Sequence, residues 1–468
     1  MSGVATAGRA ATSTPDWLKQ AAALVVGLAV MSALVVLWAA ASIGDTARTI
    51  GRDAEPSVAL ALRMTATLAD MNAAAVSDSL TDNGASAGTS RAFRDGTVQL
   101  SNDLVEAARN ITYGETEAAP LRDLQQALLN YEEAVVESRY IGGSDALITS
   151  RRVQWASRVN REFAFPAAQA LADANASVLE NRWAAYQTNW VVGALAGVVS
   201  LGALLAVLVA VQVWLLRRMH RVVNLPLAAA TLICAAAALW FGSQAIGAHN
   251  LLRAAKQDAY DSLHVLFEAK SNVNAIRADM SLWLLDPTVR AEAQGRIAEA
   301  EQALIGDAAH DPNRARVLVG ALQLALSTEQ SGDAGRALSQ VPKTGGLLGT
   351  ELANITYGVP ERTAATDAVG RLLDADTGLR AVQAQAVRDR TVAVGHWLDD
   401  RPGGGVALFA AEQAALDQTI AINQTEFDHD TSAVLSAARL LAPVTLGALV
   451  LVALLSVGGV WLRLREYR

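Results

Sequence analysis

Arg217-Arg218-Met219-His220-Arg221-Val222-Val223-Asn224 is a short basic stretch between two uncharged apolar runs, residues 190–216 and 225–246. A helix needs about 20 apolar residues to cross a bilayer, and each run has them. So short a connection makes the two runs a hairpin in the membrane. Working outward, residues 21–43 and 440–462 are equally apolar and also carry no charge. The chain therefore reads twice as span, long polar segment, span.

The chain has 468 residues, of which 52% are hydrophobic and only 18% charged. The four apolar runs hold much of that excess, so the composition is that of an integral membrane protein. The first run is longer than the 7 to 15 apolar residues usual in the core of a signal peptide and has no well-placed cleavage signal, so it reads as an uncleaved anchor. Lysine and arginine close to span ends mark the cytoplasmic side. Arg9 and Lys19, then Arg217, Arg218 and Arg221, then Arg463, Arg465 and Arg468 all fall on one side, which puts both termini in the cytoplasm. With Asp16 and Glu466 these three segments sum to +6, so the net charge of −8 leaves about −14 for the two long loops outside. Trp17, Trp38, Trp190, Trp214, Trp240 and Trp461 lie at or near span ends, where an indole ring suits the headgroup level. Cys234, inside the third span, is the sole cysteine, so the outer segments hold together without disulfides.

The predicted fold is all-α: a multi-pass cell-membrane protein with four transmembrane helices and two duplicated extracytoplasmic four-helix bundles. The boundaries are a cytoplasmic tail 1–20, helix 21–43, bundle 44–189, helix 190–216, cytoplasmic loop 217–224, helix 225–246, bundle 247–439, helix 440–462 and tail 463–468. Within the first bundle, Leu60, Met64, Leu68, Met71 and Ala75 recur at helical spacing. A turn at residues 81–88 leads to a helix over 91–110. A break at 114–120 precedes a third helix marked by Leu121, Leu124, Leu128, Tyr131 and Val135. After a break at 141–144, the fourth segment runs into the second span and is expected to be bent or interrupted at Pro166. The second bundle opens with a stripe of Leu263, Leu266, Val273, Ile276, Met280 and Trp283, ended by Asp286-Pro287. Extra material at 288–348 follows, with breaks at 306–313 and 331–335. A helix over 361–400 and a turn at 401–405 lead to the last descent.

The duplication is visible in residues. Asn110-Ile111-Thr112-Tyr113-Gly114 recurs as Asn354-Ile355-Thr356-Tyr357-Gly358, Leu37-Trp38 matches Leu239-Trp240, and Ile43-Gly44 matches Ile246-Gly247. The repeated pentapeptide should sit at the turn between the second and third helices of each bundle. Its plain reading is a capping turn, with Gly114 and Gly358 in the left-handed C-cap conformation and Tyr113 and Tyr357 packed under the bundle. Its functional reading is a transmission point, with Asn110, Thr112, Asn354 and Thr356 meeting across a pseudo-twofold axis. Arg151, Arg152, Arg158 and Arg161 cluster on the fourth segment of the first half, where the second half has Glu412, Asp417, Glu426, Asp428 and Asp430. Guanidinium forks suit carboxylates, so the arginines are either an anion or partner contact or a solvated face.

Several classes are disfavoured. The six histidines show no metal-ligand spacing, and no phosphate loop, dinucleotide fingerprint or nucleophile elbow occurs. No cofactor, metal, catalytic residue or nucleic-acid partner is expected, and the cytoplasmic segments are too short to form an enzyme domain. The uncharged spans argue against an ion pathway, and Gly193 and Gly197 suit close helix packing instead.

Paired helical ectodomains bracketed by spans resemble the sensory half of a bacterial chemoreceptor written twice, without its cytoplasmic coiled coil. The layout, with the repeated Asn-Ile-Thr-Tyr-Gly as its most distinctive local feature, also resembles the four-span actinobacterial GlnX family. That resemblance implies a non-enzymatic relay of extracellular amino-acid availability: an amino-acid-binding lipoprotein docks outside and a cytoplasmic serine/threonine kinase, protein kinase G, reads the signal inside. It places no ligand residues on this chain. The alternative is a structural protein that scaffolds a cell-envelope complex through its acidic segments.

Overall fold

The computed structural model describes residues 14–81, 87–111, 114–140, 146–219, 224–306, 317, 320 and 345–465. Among these, helix is the one regular structure and no strand occurs. The turns expected at 82–86 and 141–144, most of 306–313, and all of 331–335 lie outside the described residues, as do Arg9, Arg221 and Arg468.

The helices in order are α1 (Thr14–Arg48), α2 (Glu55–Asp78), α3 (Ala87–Arg109), α4 (Glu115–Tyr140), α5 (Ala146–Val159), α6 (Phe165–Met219), α7 (Leu225–Arg253), α8 (Asp261–Leu285), α9 (Arg290–Ile305), α10 (Gly346–Ala353), α11 (Val359–Ala386), α12 (Arg390–Trp397) and α13 (Gly405–Arg465). Wider π-helical turns join α1 to α2 (Thr49–Ala54), α5 to α6 (Asn160–Ala164) and α7 to α8 (Ala254–Tyr260). Four helical stretches are long and apolar enough to cross a membrane.

The chain divides into two compact units. One holds residues 1–49, 181–252 and 430–468; the other holds 50–180 and 253–429.

The first unit contains the apolar runs. Here the glycine pair has a visible reason. A methyl group at Gly193 would come within 3.0 Å of the Trp38 ring, and one at Gly197 within 2.8 Å of Phe241. Two aromatic rings from neighbouring helices thus lie where side chains on α6 would stand, as close packing by small residues requires. Polar groups are satisfied across helices: Gln212 donates to Leu227 O at 3.0 Å and to Thr231 Oγ1, and Asn224 donates to Gly459 O at 3.1 Å.

The second unit draws both long segments into one body around α2 and α8, which pack along their length. The spacing of Leu60, Met64, Leu68, Met71 and Ala75 predicts one buried face, yet 19 of the 24 residues of α2 are buried. Its alanines are the reason: Ala61, Ala66, Ala69, Ala73, Ala74 and Ala75 keep the helix thin enough for α8 to cover a second side. Polar links fix the register. Ser281 donates its hydroxyl hydrogen to Arg277 O at 3.0 Å and accepts from Trp397 Nε1 at 2.9 Å, so Ser77, 3.0 Å away, is the donor in their contact. Arg277 pairs with Asp70 at 3.0 Å. The core of the second half gathers Val273, Ile276, Met280, Ile297, Leu372 and Trp397 against α8.

Two sequence expectations need correction. Helix α4 begins at Glu115, so Pro120 lies inside it and the break is shorter than 114–120. The helix expected over 361–400 is two: α11 stops at Ala386, and Asp389 caps α12 by accepting from the Thr391 and Val392 amides at 2.9 and 3.2 Å. Near Pro166 the α-helix is interrupted, one of the two outcomes expected there. The π-helical turn just before it gives room for a ring that would otherwise strike the carbonyl four residues back.

The α2–α8 seam has a direct check. In a chain with Cys234→Ala, the pair Ser77→Cys and Ser281→Cys should form an intramolecular disulfide, read as a mobility shift on a non-reducing gel. A chain that stays uncrosslinked under mild oxidation would contradict the seam.

Candidate functional site

Two clefts flank the seam, each formed where the first outward helices of both halves meet one half's fourth segment. The larger, about 1060 Å³, lies among α2, α3, α8 and α13. Its three cations are paired: Arg63 bonds Asp103 at 2.7 Å, Arg277 bonds Asp70, and Lys270 bonds Asp417. Glu55, Asp95, Glu106 and Asp428 line it as well, so the cleft is acidic and offers no unpaired cation.

The smaller cleft, about 460 Å³, lies among α2, α8 and the segment from Asn160 to Asp173. That volume is within the range of small-molecule sites. Apolar Leu62, Phe165 and Phe267 share its wall with Thr65, Asn72, Asn160, Arg161, Gln169, Asp173, His264, Glu268, Ser271, Asn272 and Asp279. The π-helical turn Asn160–Ala164 presents Asn160 and Arg161 together. Asn160 donates to Leu68 O at 3.2 Å. Arg161 stands 3.6 Å from Asp279 and donates to Ser157 Oγ at 3.1 Å. Asp279 in turn accepts from Arg296 at 2.6 and 2.9 Å.

The four arginines singled out in the sequence do not act as one cluster. Arg161 alone of them lines the cleft. Arg152 pairs with Glu137, Arg158 stands 3.9 Å from Glu162, and Arg151 is exposed. Of the acidic residues opposite them in the repeat, Asp417 pairs with Lys270, while Glu412 is buried with no donor to either oxygen.

In the second half the pentapeptide is a capping turn that also reaches a neighbouring helix. Asn354 caps α10 and its side-chain amide donates to Gln257 O at 3.1 Å, Asp258 O at 2.9 Å and Ser262 Oγ at 2.9 Å. Tyr357 Oη donates to Ala254 O at 3.3 Å. These carbonyls belong to the π-helical turn Ala254–Tyr260. Widening the helix there shifts the backbone ladder, and the motif supplies donors to it. The Thr356 and Tyr357 amides donate to Glu361 Oε2 at 3.0 and 2.8 Å. Gly358 has φ 82° and ψ −150°, a region open essentially to glycine, and it begins α11 instead of ending α10 in the left-handed C-cap form. In the first half Gly114 also has positive φ, 65°, and its carbonyl accepts from the Glu117 and Ala118 amides. Asn110 is exposed, with its amide bonded to Glu106 O and Ala107 O; Thr112 and Tyr113 lie outside the described residues. The side-chain bonds of Asn354 therefore stay within its own half.

Beside this turn, Glu351 and Glu361 are buried, and Asn423 donates to Glu351 Oε1 at 3.4 Å. Burial pushes the Glu351 carboxyl up to about 7, only partly offset by Ser262, with the neighbouring Glu361 charge adding to the rise. Burial raises Glu361 as well, against the pull of the Tyr357 and Thr356 amides.

The sequence reading missed Asn72, Asn160, Asp279, Asp173 and Glu268. A signal was present for one of them: Met71-Asn72-Ala73 and Val273-Asn274-Ala275 set an asparagine in the apolar stripe of each half. A polar residue at a core position asks for a partner.

Residues 46–183 match the family model of the actinobacterial sensor domain. That stretch contains α2 to α5 and the Asn160–Asp173 wall of the smaller cleft. The comparisons with curated proteins and with solved structures return no match. With four helices long and apolar enough to cross a membrane, the chain is a multi-pass membrane protein, and one stretch of it matches a sensor domain.

Two measurements test this geometry. Asn354→Ala leaves two π-turn carbonyls without their donor and should lower unfolding stability by about 2 kcal/mol, read from thermal or denaturant melts. For Glu351, the folded state holds a proton that the unfolded chain releases above its ordinary value of 4.5, so stability is full below that pH and is lost as pH rises through about 7. The melting temperature should fall between pH 5 and 8 by the equivalent of up to about 3 kcal/mol, and Glu351→Gln should flatten that slope.

Proposed function

We propose that the chain is a membrane sensor without enzyme activity, which relays extracellular amino-acid availability through a solute-binding lipoprotein to a cytoplasmic serine/threonine kinase. The observation that carries the reading is the single unit formed by both long segments around α2 and α8, with a polar cleft whose wall belongs to the matched sensor domain. A unit assembled from two halves has an internal seam whose packing a ligand or docked partner can bias. Helix movements of about 1 to 2 Å are enough for switching of this kind. Helices α6 and α13 each run on from this unit into an apolar stretch without a loop.

The relay has a genetic and a chemical test. Deleting the gene should alter growth on amino acids and change phosphorylation of the kinase's targets, and restoring the full chain should reverse both. In membranes, the rate of disulfide crosslinking in the double variant Ser77→Cys, Ser281→Cys should change when amino acid and lipoprotein are added together. Unchanged phosphorylation together with an unchanged crosslinking rate would favour the scaffolding reading.

A further inference from the structure

We propose that the smaller cleft binds a small organic cation carrying a primary ammonium group. The inference rests on reading the chain as a sensor, and it assigns the cleft a ligand of its own, held without the lipoprotein.

Asn72 is the starting point. It is 6% exposed, it lines the cleft, and its Oδ1 meets no donor in the protein. A buried acceptor left unpaired is costly, and a ligand N–H is the group that satisfies it. Asn160, 2% exposed, uses its amide nitrogen on Leu68 O, which leaves its carbonyl oxygen as the acceptor on offer. Both amides therefore ask for a donor.

The charges agree. Glu180 pairs with Lys256 at 2.8 Å and Arg161 faces Asp279, so this segment runs antiparallel to α8. Asp173 then falls level with the turn of α8 that carries His264 and Glu268, and the two carboxylates stand at one end of the cleft. Neither has an ion-pair partner among the described residues. At the other end Arg161, the one guanidinium on the wall, is already faced by Asp279 and bonded to Ser157. The surplus charge is negative, and the rings of Phe165 and Phe267 add faces that attract a cation.

The test is isothermal titration of the purified full chain in detergent with 1,4-diaminobutane and L-lysine, against L-glutamate and acetate. The amines should bind and the two carboxylates without a second amine should not. Asp173→Asn with Glu268→Gln, both exposed, should weaken amine binding about tenfold, since two exposed charges contribute up to about 1 kcal/mol each. Asn72→Leu should abolish binding, and Arg161→Gln should preserve or strengthen it. Melting curves establish that each variant is folded; should Asn72→Leu fail to fold, the exposed double variant decides. Glutamate binding lost in Arg161→Gln, amine binding indifferent to the double variant, or no heat from any amine at millimolar concentration would each overturn the proposal. Because neither lipoprotein nor kinase is in the calorimeter cell, the result is independent of whether the relay holds.

Discussion

The close packing of α2 on α8 is the constraint on which the second unit depends. Two helices of the same chain, each the first outward helix of its half, can share a seam only if one is thin, and the alanines of α2 make it so. Burial on both sides then removes the freedom to rotate: turning α2 by one residue would drive Met64, Leu68 or Met71 into the seam and overpack it. The Ser77–Ser281 bond and the Asp70–Arg277 pair add modest energy, but they distinguish one axial register from its neighbours.

The π-helical turns show how the long helices adapt at their joints. Two of them, Thr49–Ala54 and Ala254–Tyr260, fall at corresponding places in the two halves, next to the points where the chain passes between units. A wide turn in a long helix leaves backbone groups to be satisfied, and the second half does so with Asn354 and Tyr357. In the second half the pentapeptide thus supports the joint. Its asparagine and tyrosine supply donors, and its glycine allows the chain to reverse at a φ that other residues rarely adopt.

Helix positions were legible in the sequence wherever period and breakers agreed, as with Leu121, Leu124, Leu128, Tyr131 and Val135, all buried, or Asp286-Pro287, which ends α8. They were misread where a local cap outweighed composition. Asp389 stops a helix in a stretch free of glycine and proline, while Pro120 is absorbed within the first two turns of α4. The cleft was less legible because its walls come from segments about 90 and 200 residues apart, and spacing along a chain carries no trace of that meeting. The arginines drew notice as a run, yet two of the four face carboxylates elsewhere and a third is exposed. Asn72 was hidden by the opposite effect, a single polar residue in an apolar stripe.

The two clefts share a construction and differ in their walls. Both arise from the same construction, α2 and α8 closed by a fourth segment, so one that binds does not oblige the other to do so. In the second half that segment is unbroken α13, and the lysine and arginines around its cleft are consumed by carboxylates within the protein. In the first half the segment is interrupted at Asn160–Ala164, and the interruption turns an amide and a guanidinium toward the cavity. The α2 and α8 walls are held by the seam, so the compliant wall is the one with the π-helical turn. A ligand shifts an equilibrium only by its differential affinity for two arrangements, and here Asn160 and Asp173 stand on the wall that carries the π-helical turn while Asn72 and Glu268 stand on the walls held by the seam.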